Sequence, residues 1–208
     1  MRTTTPLRRV LTTVTAAAAV ALTATSTAVA VPLSGTSAPA TAPRATPHPL
    51  SALHLVVELS AERLATADQV AAAKWGTASP IDDPAREQQV LDNVAAQATR
   101  LGADPDEIRT IFRDQIEANK IVQRGLFQRW TDHPEQAPTT RPDLSVVRVE
   151  INRVTSALVQ ALADTTADRS TPTCRPGAAV GVLQVHHEDH LDGLHTRALV
   201  RSLASVCD

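Results

Sequence analysis

The chain has 208 residues, a formal net charge of −2 and an aromatic content of 2%. This length is enough for one domain. The near-neutral charge and the scarcity of aromatic side chains exclude the basic surface of a nucleic-acid-binding protein, so nucleic acid is not an expected partner.

Residues 1–30 have the pattern of a signal peptide. Arg2, Arg8 and Arg9 precede an apolar run that ends in the small-residue pattern Ala-Val-Ala. The run lacks large residues and no stop-transfer pattern follows it, which favours cleavage near Ala30 over a membrane span. We expect a secreted, periplasmic or otherwise extracytoplasmic protein with no membrane association after cleavage. The export route, Sec or twin-arginine, is left open.

The next segment, residues 31–49, reads VPLSGTSAPATAPRATPHP and consists largely of Pro, Ala, Thr and Ser. Such a composition has almost nothing to bury, so a flexible tether is predicted after cleavage. The folded domain is expected over residues 50–208.

Apolar residues in this domain recur at helical spacing, without a convincing alternating strand pattern. Asp83-Pro84 and Asp104-Pro105 each combine a helix-capping residue with a proline suited to the first turn. Four long helices are predicted over about residues 50–75, 84–101, 105–130 and 144–163. The Pro-rich stretch TDHPEQAPTTRPD is predicted to be the loop before the fourth helix.

Cys174 and Cys207 are the only cysteines, and an even pair in an exported protein indicates one disulfide. Bridged Cα atoms lie within about 7 Å, whereas a straight helix over the intervening residues would be about 50 Å long. The C-terminal segment must therefore fold back, at GAAVG (residues 177–181) or at Asp192-Gly193. The prediction is an all-α protein, a single helical bundle of about six helices with one disulfide in its C-terminal segment.

Two cations lie on the apolar face of the first predicted helix. Arg63 and Lys74 are eleven positions apart, a spacing that changes the direction around a helix by about 20°. Between them on the same face lie Ala67, Val70 and Ala71. A buried charge needs a partner, so these cations either meet anions or extend their heads to water. For each cation alone, extension to water is the favoured interpretation.

Polar residues also follow the apolar stripe of the third predicted helix. Gln115, Asn119 and Gln123 recur at intervals of four residues. Buried amides must be hydrogen-bonded, so they serve either a structural bond to neighbouring backbone or a polar ligand. Taken alone, the pattern slightly favours the structural role.

Two further cations are unusually placed. Arg86 lies in the first turn of the second helix, where the helix dipole disfavours a cation unless Asp83 pairs with it. Arg148 lies beside the apolar stripe of the fourth helix, where a boundary residue is also expected. Together with the cations of the first helix and the amides of the third, they are suited to a small, oxygen-rich ligand with several negative charges.

The histidine-rich stretch QVHHEDHLDGLH raises the alternative of a metal site. His186 and His190 would be one helical turn apart with Asp189 nearby, but the string departs from the H-E-x-x-H zinc motif. A solvated polar helix face is the favoured interpretation, and no metal is expected.

Four stretches, ERLATADQVAAAKW, PIDDPAREQQVLDNV, FRDQIEANKIVQRGLFQRW and RPDLSVVR, resemble the secreted gamma subclass of the all-helical chorismate mutases. The resemblance covers essentially the whole mature domain, together with the signal peptide and the late cysteine pair. It implies an isomerase of aromatic amino acid biosynthesis, in the shikimate pathway, that rearranges chorismate to prephenate without a cofactor. Members are often dimeric, so a homodimer is left open.

The resemblance also assigns catalytic roles. Arg63 and Arg148 are expected to hold the substrate carboxylates, and Lys74 and Gln123 to donate hydrogen bonds to the ether oxygen whose bond breaks. Where some secreted members have a glutamate at the last position, this chain has Gln123, which can donate without being protonated.

Further substrate contacts are implied for four residues. Arg86 would take a carboxylate-side role, and Asp83 and Asn119 would lie near the ring hydroxyl or a carboxylate. Asn119 stands where a hydroxyl residue is often found. Gln89 is a weaker assignment, because the family glutamine in this region has no fixed spacing. The alternative to an enzyme is a non-catalytic secreted helical module that binds a small anionic metabolite or a protein partner.

Overall fold

The computed structural model describes residues 49–208, with side chains from residue 52 onwards, and confirms the all-α prediction. The predicted signal peptide and almost all of the predicted tether lie outside these residues. Within the described range there are seven α-helices: α1 Pro49–Lys74, α2 Pro84–Leu101, α3 Pro105–Asp132, α4 Leu144–Asp164, α5 Thr166–Arg169, α6 Cys174–Glu188 and α7 Gly193–Ser202. A short 3-10 helix, Pro134–Gln136, lies in the Pro-rich loop.

Helix α1 is the central element of the domain. It contacts α3, α4, α6 and α7, and apolar residues on several sides of it, including Val56, Val57, Ala67 and Ala71, are buried. A helix that is apolar on most sides is stable only when other elements surround it. Among the described residues, no helix is both long and apolar enough to cross a lipid bilayer.

Local capping chemistry determines the helix boundaries near the second and third helices. The side chain of Asp83 accepts a hydrogen bond from the Arg86 backbone N–H at 3.0 Å, and Pro84 begins α2. Gly102 ends α2 in the left-handed region, with φ 74°, which a glycine adopts without steric cost. Asp104 caps α3 in the same way as Asp83 caps α2.

The predicted disulfide joins Cys174 and Cys207, whose Cα atoms lie 5.7 Å apart. The C-terminal segment reverses between α6 and α7, where His190 adopts a positive φ of 51°. Asp192 then caps α7 by accepting from the His195 backbone N–H at 2.9 Å. Of the two fold-back positions expected from the sequence, Asp192-Gly193 is confirmed.

The other expected fold-back position is wrong, because residues 177–181 lie inside α6. Close packing against α1 is the physical reason for a glycine there. A Cβ atom at Gly181 would lie 3.0 Å from Cγ2 of Val57, closer than ordinary van der Waals contact. The small residue therefore permits two helices to approach each other rather than permitting a turn.

Candidate active site

A cavity of about 150 Å³ opens between α1, the loop before α2, the start of α2, α3 and α4. Its polar wall contains seven of the eight residues that the resemblance assigns to the substrate: Arg63, Lys74, Asp83, Arg86, Asn119, Gln123 and Arg148. Apolar side chains complete the wall, namely Val70, Ile81, Val90, Ile116, Leu144 and Ile151. Four helices and one loop thus bring together residues that are far apart in sequence.

Arg63 is a buried cation without a carboxylate partner among the described residues. Its side chain is held by neutral acceptors: Nε donates to Thr155 Oγ1 at 3.3 Å and Nη1 to the Gln115 carbonyl at 3.3 Å. The guanidinium carbon also lies 5.5 Å from the centre of the Phe112 ring. Burial lowers the pKa of Arg63 to about 10. The guanidinium would therefore be stabilised by an anion in the cavity.

Lys74 ends α1, and its ammonium is held by the loop that follows. Nζ donates to the Pro80 carbonyl at 2.8 Å and lies 3.5 Å from the Ile81 carbonyl. Burial lowers the pKa of Lys74, and the nearby carboxylates of Asp83 and Asp82 offset only part of this effect. The carbonyl groups orient the ammonium without neutralising it, so a positive charge remains at the cavity wall.

Arg86 and Arg148 reach the cavity from two different helices, α2 and α4. Arg86 projects from the first turn of α2, where its Nη1 donates to Gln89 Oε1 at 3.1 Å. Gln89 itself is exposed and does not line the cavity. Arg148 projects from the first two turns of α4. Within the described part of the chain, neither arginine forms an ion pair, whereas Arg109 on α3 pairs with two carboxylates.

The three amides of α3 have different environments. Gln115 donates to Ser60 Oγ at 2.9 Å and to the Ser202 carbonyl at 3.2 Å, so it has the structural role that the sequence left open. Gln123 is 3% exposed, and its Nε2 donates to Asn119 Oδ1 at 2.7 Å. The buried Oε1 of Gln123 has no hydrogen-bond partner among the described residues. One amide N–H and this oxygen are therefore available to a ligand.

Sequence reasoning missed three polar residues of the cavity wall: Thr66, Glu87 and Lys120. Lys120 is buried, and its Nζ lies 3.2 Å from Glu87 Oε1. The signal that could have identified it is composition, because Lys74 and Lys120 are the only lysines in an arginine-rich chain. Both lysines line the same cavity.

The histidine-rich stretch forms a different structure from the one considered for a metal. Helix α6 ends at Glu188, so His190 lies beyond the helix and the assumed one-turn spacing to His186 is wrong. His186 Nδ1 lies 2.9 Å from Thr196 Oγ1. Within residues 52–208, the group with potential metal-ligating atoms within 4.8 Å of one another is His54, Glu58 and Glu188. None of these three residues lines the cavity.

Comparison with known proteins connects this geometry to one family. A family model described as chorismate mutase type II matches residues 54–124. The chain is 36% identical to a protein named secreted chorismate mutase from Mycolicibacterium smegmatis, over 79% of this chain and 91% of that relative. It is 33% identical to a protein of the same name from Mycobacterium tuberculosis, over 82% of this chain and 85% of that relative.

A solved structure supports the same relationship. The crystal structure of chorismate mutase from Burkholderia phymatum matches with a TM-score of 0.73 and 38% sequence identity. The match covers 77% of this chain and 98% of the other. The similarity therefore extends over nearly the whole length of a related folded domain.

Proposed function

This chain belongs to the chorismate mutase family, and from that premise we propose that its cavity converts chorismate into prephenate, as an exported isomerase. The reaction is an intramolecular Claisen rearrangement. The ether C–O bond breaks while a new C–C bond forms within the same molecule, and no atom enters or leaves. Such a reaction requires neither a nucleophile nor a cofactor.

A protein can accelerate this reaction in two ways. It can hold the flexible substrate with its reacting carbons close together, and it can stabilise the negative charge that gathers on the ether oxygen as the bond breaks. Planar guanidinium groups suit carboxylates in a fixed orientation, whereas a compact ammonium suits a single oxygen. Three arginines and Lys74 at the cavity wall are suited to these tasks.

The proposed roles follow from this division. Arg63 and Arg148 hold the two substrate carboxylates, and Arg86 adds a further cationic contact. Lys74 donates to the ether oxygen, with Gln123 as the second donor. Asp83 and Asn119 have the hydrogen-bonding groups to receive the ring hydroxyl or to orient a carboxylate.

The observation that carries the proposal is the set of four cations around one small cavity that form no ion pair within residues 52–208. Arg63 is 5% exposed and donates only to the Thr155 hydroxyl and the Gln115 carbonyl, and burial lowers its pKa to about 10. A substrate with two carboxylates supplies the missing anions. The neutral amide pair, Asn119 and Gln123, supplies donors that remain effective at any physiological pH.

The decisive experiment follows chorismate directly. Untagged mature protein is incubated with chorismate, and both the loss of substrate and the appearance of prephenate are measured. Stoichiometric conversion over many turnovers supports the proposal. Saturable binding of chorismate in calorimetry without conversion would contradict it and would favour a non-catalytic module that binds an anionic metabolite.

Export and assembly are part of the same proposal. Residues 1–30 direct export and are removed near Ala30, which mass analysis of protein recovered outside the cytoplasm would establish. The name "secreted" of the relatives supports this location. A homodimer is the assembly to test, because the family resemblance implies that members are often dimeric. Sedimentation analysis measures the oligomeric state independently of activity.

A further inference from the structure

Lys120 is a buried cation at the wall of the cavity that has anionic partners. Its side chain is 7% exposed, and its Nζ lies 3.2 Å and 3.3 Å from the two carboxylate oxygens of Glu87. It also lies 3.3 Å from Asp82 Oδ1 and 2.5 Å from Glu117 Oε1. One ammonium therefore joins the loop before α2, the first turns of α2, and α3.

Glu87 is the partner that matters for the cavity. It lines the cavity together with Lys120, whereas Asp82 and Glu117 do not. Its Oε1 also accepts from the Asp83 backbone N–H at 3.3 Å, at the capping residue of α2. The position of this carboxylate is thus coupled to the start of the helix that carries Arg86.

The charge of Glu87 conflicts with the proposed substrate. A carboxylate at the wall of a small cavity repels a ligand with two negative charges, and the repulsion is strong where water is excluded. Lys120 offsets this repulsion, because its ammonium contacts both carboxylate oxygens of Glu87. The remaining charged groups of the wall are Asp83 and the cations Arg63, Lys74, Arg86 and Arg148.

We propose that Lys120 is a positioning residue that holds the Glu87 carboxylate at the cavity wall and neutralises it, so that a dianionic substrate can bind. The inference rests on the proposed function, because it requires a substrate with two carboxylates. Burial by itself would lower the pKa of Lys120, but the hydrogen bonds with Glu117 and Glu87 outweigh it and the pKa is raised. The ammonium is therefore charged at neutral pH.

A second cation separates this role from simple anchoring of the loop. Arg124 Nη2 lies 2.6 Å from Asp82 Oδ1, so it also fastens the loop before α2 to α3. Arg124 is exposed and does not line the cavity. Loss of the loop anchor would therefore be shared by Lys120 and Arg124 variants, whereas loss of compensation for Glu87 would be specific to Lys120.

The test measures kcat and KM for chorismate between about pH 5 and 8.5 in the wild type and in variants of Lys120 and of nearby cations. Lys120→Met should raise KM about tenfold or more and change kcat less, since it leaves a charged partner unpaired beside the substrate. Lys120→Arg should keep KM within about threefold of the wild type, because it retains a cation beside Glu87. Arg124→Gln should change KM less than about twofold.

The matched control is Arg109→Gln. Arg109 also joins α3 to α2, through Asp92 at 3.6 Å, but it lies outside the cavity. Its KM should stay within about twofold of the wild type at every pH. A larger change would mean that any lost α2–α3 ion pair perturbs the cavity, which would overturn a specific role for Lys120.

A comparison within the Glu87→Gln background keeps the test valid even if Lys120→Met alone does not fold. Once Glu87 is neutral, adding Lys120→Met should raise KM less than about threefold, since the lysine acts through that carboxylate. A further tenfold increase in this background would overturn the inference, as would an unchanged KM in folded Lys120→Met. An inactive wild type would overturn the proposed function itself, and the inference with it.

Discussion

Two buried arginines show how the region around the cavity differs from the region around the C-terminal segment. Arg169, beneath the C-terminal segment, is 2% exposed and forms an ion pair with Glu107. It also donates to the Val206 carbonyl at 3.3 Å and to the Leu162 carbonyl at 3.2 Å. Arg63, beside the cavity, is buried almost as deeply but has only neutral acceptors in residues 52–208.

The difference shows where buried charges have partners within the protein and where they depend on a ligand. The C-terminal region satisfies its own charges: Asp114 pairs with Arg201 and accepts from the Ser205 backbone N–H at 2.9 Å. The cavity region leaves positive charge uncompensated around an open space. A buried cation with an internal partner stabilises the fold, whereas one without a partner is suited to bind an anion.

The strongest test of this comparison replaces each arginine by methionine. Arg169→Met should reduce the free energy of unfolding by about 3–5 kcal/mol, because it breaks a buried pair and removes the donor to the Val206 and Leu162 carbonyls. Arg63→Met should leave the free energy of unfolding unchanged or raise it, yet it should greatly reduce kcat/KM. Urea denaturation and steady-state kinetics measure the two effects. Equal destabilisation by both variants would refute the distinction between a stabilising and a ligand-binding arginine.

The disulfide lies in the C-terminal region, away from the cavity, and should affect stability but not activity. Replacing Cys174 and Cys207 by serine should cost about 3–4 kcal/mol, because a closed loop of sequence separation 33 no longer restricts the unfolded chain. Neither cysteine lines the cavity, so kcat should be retained at temperatures at which the variant is folded. A lost kcat in folded protein would show that the two regions are coupled.

Within the cavity, Lys74→Ala should reduce turnover far more than it weakens substrate binding. The expected loss of transition-state stabilisation is on the order of 3 kcal/mol. Lys74→Arg should also have a low kcat, because a planar guanidinium group does not replace a compact ammonium donor. Steady-state kinetics with a separate binding measurement distinguish kcat from affinity, and near-normal turnover in Lys74→Ala would exclude the proposed role of this ammonium.

Gln123 provides a smaller and more specific test. With an amide at this position, activity should stay roughly constant from mildly acidic to mildly alkaline pH. Gln123→Glu should lose activity above neutrality, because a carboxylate donates a hydrogen bond only when it is protonated. A pH profile of kcat, with circular dichroism to verify the fold, measures the difference. A steep loss in the wild type would count against the donor role of Gln123.

The smallest expected effect concerns His195, which lies in α7 of the C-terminal region. Its Nε2 is 3.0 Å from Asp68 Oδ1 and its Nδ1 is 2.7 Å from Asp192 Oδ1. The hydrogen bond to Asp68, supported by Asp192, outweighs burial and raises the pKa of His195 from 6.5 to about 9. Because the pKa is higher in the folded state, the stabilisation is complete below pH 6.5 and is lost as the pH rises through about 9.

Melting temperatures measured between about pH 6 and 10 should therefore fall on the alkaline side in the wild type. Asp68→Asn should lower the melting temperature at neutral pH and flatten the profile, since it removes the acceptor that raises this pKa. Activity of the folded protein should follow neither change, because His195 does not line the cavity. An unchanged alkaline profile in Asp68→Asn would refute this account.

Local signals in the sequence were sufficient for most of the fold. The caps at Asp83 and Asp104 and the helical spacing placed the four long helices to within about two residues. Cys174 and Cys207 were identified as a pair because no other cysteine competes for either of them. The turn predicted at the glycines of α6 was wrong, because glycine occurs both in turns and where helices pack closely. Which role applies at Gly181 depends on its contact with Val57, a residue more than a hundred positions away.

The sequence by itself determined which residues share one helix face, because helical periodicity depends on spacing alone. It therefore placed Arg63 and Lys74 together, and Asn119 and Gln123 together. Only the tertiary structure decided that Lys120 meets Glu87, and that Gln115 turns to Ser60 instead of the cavity. Those contacts depend on how each helix is rotated and packed against its neighbours, and no spacing within a single helix specifies that.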